Sequence, residues 1–479
     1  MSTSNTYRPS PVHRDLGERF FDAVTPAAFP AHRVRYRNQR WAQRVGLAGL
    51  DETEWRTHFG QFAPLAGNLA PPLALRYHGH QFRVYNPDLG DGRGFLFAQL
   101  RDGDNRVLDL GTKGSGQTPY SRSGDGRLTL KGGVRELLAT TLLEALGVDT
   151  SKTFSLIETG ERLTRNDEPS PTRSGVLVRL SHSHIRFGTF QRLAYEEDAV
   201  SIQRLIDHVL VHYMPDVWRS VADRAPGERA AALLAETVAR VARTGAQWMA
   251  AGFVHGVLNT DNINVTGESF DYGPYRFLPH YDPGFTAAYF DRTGLYAYGR
   301  QPEALAWNLE RLAECLRLVC DEPPLIAALR SFADRFETAL VASMLNRLNL
   351  TPLGGAQDME LVGTIYQFLH DTKAPFEQFF FDWHGGRVSE SRALRSPVAD
   401  RYGGPAFASL KNLLAPYGVA VPERLTHPYF AGERPATLLI DEIEEIWSAI
   451  AEDDNWRPLE VKCAALELAG QALGTMSLA

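Results

Sequence analysis

Apolar positions divide this chain into a strand-rich first half and a helical second half. Phe95 to Leu100 is an apolar run of strand length. Arg106 to Thr112 reads as its returning partner after the turn signal Asp102-Gly103-Asp104-Asn105. Phe154 to Thr164 and Val176 to Leu180 read as two further strands, with turn formers and prolines from Asn166 to Ser174 between them. Val134, Leu137, Leu138, Thr141, Leu142 and Ala145 recur at helical spacing, with Glu136 on the flank of that stripe and Gly147 as its stop. From about residue 196 helical periodicity takes over. Ile202, Leu205, Ile206, Val209, Leu210 and Tyr213 form one stripe, and Leu234, Val238, Val241, Trp248 and Met249 form another that ends at Gly252. Ile263-Asn264-Val265 is a short strand candidate, and Asp441 to Glu452 is an acidic amphipathic segment. Residues 1–65 mix charged and aromatic residues and read as an irregular, partly helical leader.

Strands followed by helices predict an α+β fold of two lobes with a cleft between them. The expected divisions are an N-terminal extension (1–65), a mixed strand and helix lobe (66–195), a mainly helical lobe (196–400) and a helical C-terminal extension (401–479). At 479 residues, 44% hydrophobic and 22% charged, the chain has the make-up of a globular protein with a sizeable core. A net charge of −7 argues against a dedicated nucleic-acid binder but leaves room for a local basic pocket. No run approaches the ~18 apolar residues of a membrane span, and Met1 to Asp15 has no apolar core of a secretion signal. Three cysteines, Cys315, Cys320 and Cys463, give no disulfide framework and suit a reducing compartment, so a cytoplasmic location is expected. Cys315 and Cys320 fall in a leucine-rich stretch and read as small core residues.

The candidate chemistry lies in the loops. Gly90 and Gly92, in Leu89-Gly90-Asp91-Gly92-Arg93-Gly94, would let backbone amides approach a phosphate, and Arg93 adds a guanidinium fork. Lys113 ends a strand before a second glycine-rich run, Gly114 to Gly126, and Glu136 lies on the next helix. That order is how kinase-like folds hold nucleotide phosphates. Arg179 sits within an apolar strand and needs an anion, either a structural carboxylate or a phosphate; Arg186 follows seven residues on. His182 and His184 alternate, but no cysteine or third histidine accompanies them, so a metal role is not expected.

The run His255-Gly256-Val257-Leu258-Asn259-Thr260-Asp261-Asn262, followed by Asp271-Tyr272-Gly273, matches the kinase pattern H-R-D-x-x-x-x-N and D-F-G with one part missing. Val257 replaces the base, while Asn262 and Asp271 keep the hard oxygen ligands that suit Mg²⁺ or Mn²⁺. Asp261, beside Asn262, is free to act as a general base. The fold class expected from this order is a bilobal protein-kinase-like α+β fold with both termini extended.

Six stretches resemble the selenoprotein O family (SelO, also called YdiU). They are Tyr77 to Phe82, Leu89 to Arg93, Lys113 to Arg122, Gly124 to Arg127, Arg179 with Ser183 to Gly188, and His255 to Asn262 with Asp271 to Pro274. The resemblance implies a pseudokinase fold that binds ATP in a flipped orientation and transfers AMP to Ser, Thr or Tyr hydroxyls of proteins. It also implies that Gly90, Gly92, Arg93, Lys113, Asp125, Gly126, Arg179, Arg186 and Asp271 bind ATP. Asn262 and Asp271 would hold Mg²⁺ or Mn²⁺, Asp261 would accept the proton, and Glu136 would pair with Lys113. Uridylyl transfer from UTP with Mn²⁺ and a non-catalytic ATP-binding scaffold stand as alternatives; an ordinary kinase is disfavoured by Val257. The chain departs from the family pattern at Arg83, where the family usually has glycine, and at Phe285 to Tyr289. The tail, Gly474 to Ala479, lacks the cysteine or selenocysteine of many members, and the resemblance is expected to fade from about residue 425.

Overall fold

A computed structural model describes residues 6–166 and 168–476. Residues 1–5 of the expected leader, Asp167 of the expected turn and residues 477–479 of the tail lie outside the described residues. The fold is α+β. An antiparallel sheet is built from strands Phe21–Ala23, Leu73–Leu75, Leu96–Arg101, Val107–Lys113, Thr172–Ser181, Lys152–Leu163 and Arg33–Arg37, in that spatial order. The short strand Leu128–Thr129 pairs to Thr172–Ser181 beside this path. Helices dominate from Phe187 onward.

The predicted hairpin forms with Leu100 opposite Leu108 and Arg101 opposite Val107. Its turn is closed by Asp102, whose Oδ1 accepts from the amides of Asp104 (3.0 Å) and Arg106 (2.9 Å). The other two predicted strands are longer than their apolar runs. Thr172–Ser181 begins inside the stretch read as a loop, because Thr172 and Arg173 pair with Leu163 and Arg162.

The leader is not irregular. Its strands Phe21–Ala23 and Arg33–Arg37 form the two edges of the sheet, and Trp55 of its helix Glu52–Phe59 stacks on Phe154 while Phe59 meets Phe154 edge-on, in the core of one sheet face. Ile263-Asn264-Val265 is not a strand. The Asn264 carboxamide binds the Ser183 carbonyl (2.5 Å) and the Thr266 amide (3.1 Å), which turns the chain after a single bridge between Asn264 and Arg186.

The helix Leu130–Ala145 packs its apolar stripe under the other sheet face and continues the core into the helices Ala199–Tyr213 and Pro226–Ala250. The acidic segment forms the helix Ile440–Asp453 and buries Ile443, Ile446 and Ile450. Asp454, just beyond it, pairs with Arg173 (2.7 Å) and Arg35 (3.3 Å), tying this end of the chain to the sheet. All three cysteines are free and buried. Among the described residues, no helix is long and apolar enough to cross a membrane.

Glu268, just before the Asp271 turn, is buried and accepts from the His182 amide (2.7 Å). Burial pushes its carboxyl up to about 8; Lys152 and Arg106 pull it down, and Asp149 pushes it further up. The folded state keeps this proton at pH values where an unfolded glutamate, near 4.3, has lost it. Stability contributed here is therefore lost as pH rises from about 4.5 to about 8. Glu268→Gln removes the penalty. Its melting temperature relative to wild type should rise steadily between pH 5 and pH 8 in calorimetry, whereas an offset independent of pH would contradict the buried neutral acid.

Candidate active site

Antiparallel register brings the first cations together. Leu177 stands opposite Lys113 and Arg179 opposite Gly111, so Lys113 and Arg179 project from the same sheet face on adjacent strands. The helix Leu130–Ala145 beneath them supplies Glu136, which is buried (1% exposed) rather than on a polar flank. Lys113 Nζ donates to Glu136 Oε2 and to Asp271 Oδ1, each at 2.7 Å. Arg179 Nη1 lies 3.3 Å from the same Asp271 oxygen and 3.6 Å from Glu136 Oε1. Two cations and two carboxylates thus neutralise one another, with Lys113, Arg179 and Glu136 buried and Asp271 partly open to the cavity.

Asp271 is held in this cage by backbone as well as charge. Its φ is +66°, in the left-handed region. The preceding carbonyl, Phe270 O, is met by His255 Nε2 at 3.1 Å. Burial alone would raise the Asp271 carboxyl, but the charges of Lys113, Arg179 and Arg186 override it and hold the group well below the usual carboxylate range.

Arg186 occupies the next position. Its guanidinium lies 4.3 Å from the Tyr77 ring centroid and 5.2 Å from that of Phe270; Phe270 also underlies Arg179 at 5.1 Å. Its one ion pair is long, Nη2 to Asp91 Oδ1 at 3.4 Å, and its buried Nε has no partner among the described residues. Behind Arg179, His184 Nε2 lies 3.3 Å from Arg179 Nε, and Asp109 accepts from the His184 amide at 2.8 Å. His184 is thus a positioning residue, and among the described residues no group of three or more His, Cys, Asp or Glu could hold a metal ion.

Asp261 has the opposite surroundings. It lies in the short turn Thr260–Asn262, is 8% exposed, and its Oδ1 is buried without a hydrogen-bond partner among the described residues. Burial raises its carboxyl to about 6, with Arg186 and Arg122 opposing the rise and Asp271 adding to it. Gly79 leaves the space this carboxylate fills, since a Cβ there would come within 3.2 Å of Asp261 Oδ1 and 3.1 Å of Asp261 Cβ.

One cavity of about 640 Å³ is lined by Gly90, Gly92, Arg93, Lys113, Asp125, Gly126, Arg179, Arg186, Asp261 and Asp271. Of the expected site residues, Glu136 and Asn262 do not line it. Glu136 lies behind Lys113, and Asn262 donates from Nδ2 to the Val257 carbonyl at 3.1 Å. Asp125 is turned to the cavity rim, where Arg165 (2.8 Å) and the Arg127 amide (3.0 Å) hold it. Glycine at position 90 has a reason besides phosphate, because a Cβ there would lie 2.2 Å from the Tyr120 ring.

Tyr77, Asp91, Phe270 and Arg122 belong to the site and were not singled out in the sequence. Their signals were available but faint: Tyr77 and Arg122 fall within the family-like stretches, Asp91 separates two chosen glycines, and Phe270 directly precedes Asp271.

Comparison with known proteins agrees with this geometry. The family model described as Protein adenylyltransferase SelO matches residues 4–467. A Synechocystis protein named Protein nucleotidyltransferase YdiU is 45% identical over 471 residues, covering 95% of this chain and 96% of its own length. A Gloeobacter violaceus protein of the same name is 45% identical over 468 residues, covering 94% and 92%. One from Vibrio cholerae is 37% identical over 377 residues, covering 76% and 73%. The cationic cleft and these matches place the chain among the nucleotidyltransferase enzymes. It belongs to the SelO/YdiU family. The likeness therefore extends well past residue 425, where the sequence reading expected it to fade. The helix Ile440–Asp453 of that region also closes on the sheet, through Asp454 just beyond it.

If the four charges are a closed set, removing one is costly. Glu136→Gln should lower the unfolding free energy by about 3–5 kcal/mol in urea titrations, the usual cost of breaking a buried pair. A loss below about 1 kcal/mol, the scale of a surface pair, would contradict it.

Proposed function

We propose that the protein is a metal-dependent protein adenylyltransferase, moving AMP from ATP to Ser, Thr or Tyr hydroxyls of proteins with release of pyrophosphate. The observation that carries this reading is the pairing of two unlike carboxylates in one cleft. Asp271 is pinned and anionic among cations, and Asp261 is buried with an unpartnered oxygen. The two-part arrangement, sheet first and helices after, supports a kinase-like fold in which Val257 occupies the place of the usual base.

The terminal phosphates of ATP would lie against Lys113, Arg179 and Arg186, with Arg93, Asp125 and the glycines Gly90, Gly92 and Gly126 lining the remainder. That leaves the innermost phosphorus toward Asp261. The acceptor oxygen forms a bond to this phosphorus, the bond to the pyrophosphate oxygen breaks, and the acceptor proton passes to Asp261. Negative charge gathers on the departing pyrophosphate, where the cations stand already oriented. A Mg²⁺ or Mn²⁺ ion suits the hard oxygens of Asn262 and Asp271, completed by substrate oxygens, and would supply charge neutralisation. Asn262 does not line the cavity and its nitrogen donates to the Val257 carbonyl, so holding the ion would require its side chain to turn toward Asp271.

Incubation with ATP labelled at either end tests the reading. Label at the α-phosphate should reach protein and label at the γ-phosphate should not; transfer from the γ-position alone would reject it. UTP competing better than ATP would favour uridylyl transfer, and nucleotide binding without transfer or pyrophosphate release would favour a scaffold. Asp261→Ala should retain nucleotide binding and reduce transfer by roughly 10²–10⁴-fold, the range for loss of a general base. Asp271→Ala should abolish metal-dependent binding in calorimetric titration, and transfer unchanged in either variant would remove that residue from its role.

A further inference from the structure

The Phe82-Arg83 turn and the Tyr289-Phe290 segment lie beside one another close to Asp261. Gly79–Gln81 and Val84–Asn86 form a small hairpin, with Gln81 opposite Val84. Its two-residue loop is Phe82-Arg83, with φ of +50° and +65°. Such loops favour Asn, Asp or Gly, so an aromatic residue and an arginine hold the left-handed backbone here at a cost.

The surroundings fix this strained tip in place. The His80 amide donates to Thr260 Oγ1 (2.7 Å) and the Phe82 amide to Asn259 Oδ1 (3.0 Å), the two residues preceding Asp261. Arg83 is engaged by Glu303 at 3.1 Å. The Phe82 ring lies 5.1 Å from Tyr296 and 5.8 Å from Phe290, and Phe290 lies 5.1 Å from Tyr289.

The outer side of this assembly is apolar and exposed. Val84 is 70% exposed and shares a face of the hairpin with Gln81, which lines the cavity. Tyr289 is 85% and Phe290 46% exposed. Single exposed apolar residues are ordinary, but Val84 beside the braced tip and Tyr289 and Phe290 joined to it through Phe82 gather at the edge of the cleft and mark an interaction surface.

We propose that Val84, Phe82, Tyr289 and Phe290 form the acceptor-polypeptide surface, seating an apolar side chain of the substrate protein close in sequence to the hydroxyl that is modified. The proposal rests on the transferase reading above. A hydroxyl that reaches the Asp261 carboxylate brings its neighbouring residues across the hairpin bonded to Asn259 and Thr260. The phosphates belong with the cations of the cleft, whereas Arg83 at the hairpin tip is already paired with Glu303. An uncharged aromatic face therefore suits polypeptide rather than nucleotide.

The test uses the full chain and synthetic peptides carrying one serine in a fixed polar frame, with Leu or Asp placed in turn at each flanking position. Wild type should show a KM for the best Leu peptide about tenfold below that of its Asp counterpart, the scale of one aromatic anchor. Val84→Ser and the double variant Tyr289→Ser/Phe290→Ser should lose that preference through KM, with kcat and ATP affinity kept. The retained ATP affinity also shows that the variants fold. Transfer to Leu and Asp peptides alike, or a preference that survives in both variants, would overturn the surface and leave the transferase reading standing. No transfer to any peptide or protein, with ATP binding intact, would overturn both. A wild-type dimer in sedimentation that the double variant dissociates would assign the face to a second copy of the chain and overturn the acceptor proposal.

Discussion

Four charges, three of them buried and the fourth, Asp271, at the cavity wall, organise this molecule. Lys113 and Arg179 come from neighbouring strands, Glu136 from the helix beneath, and Asp271 from a turn 92 residues beyond Arg179. None is tolerable there alone, because an unpaired buried charge costs several kcal/mol. The sheet register, the depth at which the helix Leu130–Ala145 packs and the left-handed backbone at Asp271 must therefore all be satisfied at once. His184 and His255 add a further layer by bracing Arg179 and the Phe270 carbonyl. A cage of this kind stores orientation: cationic groups point at one place before any anionic substrate arrives.

The same cleft gives its second carboxylate the reverse treatment. Asp271 is held ionised by three cations, and Asp261 is buried with a free oxygen and a raised pKa. When environment drives two carboxyl groups apart in this way, it assigns them different tasks. The proposed assignment, one to metal and phosphate and the other to a proton, explains how the protein can act without a residue able to take a proton at Val257. The hairpin Gly79–Asn86 takes part in both the site and its surroundings: Gly79 makes room for the Asp261 side chain, while Val84 stands exposed just past the tip.

Much of this was legible in the chain because local pattern carries it. A lysine closing an apolar strand, an acid beside a helical stripe and an arginine inside a strand each stand out against their neighbours. Their meeting is a matter of register between distant segments, which local spacing does not encode. The leader shows the limit most clearly. Phe21–Ala23 is too short to show alternation, and Arg33–Arg37 alternates as Arg-Val-Arg-Tyr-Arg within a charged stretch that masks it, yet the two form both sheet edges through pairing with Leu73–Leu75 and Lys152–Leu163. Asp91 and Tyr77 gain their roles only when Arg186 lies between them. Gly90 was visible for a reason only partly its own, since the Tyr120 ring already demands the missing side chain.

In the proposed reaction the cage would grip the outer end of a triphosphate, so that the inner phosphorus faces Asp261. A crystal structure of the protein with a non-hydrolysable ATP analogue and Mg²⁺ measures this directly. The account predicts terminal phosphate oxygens within hydrogen-bond distance of Lys113 and Arg179, with the base lying toward the cleft mouth. A base seated inward, with the terminal phosphate pointing out past Asp261, would contradict it.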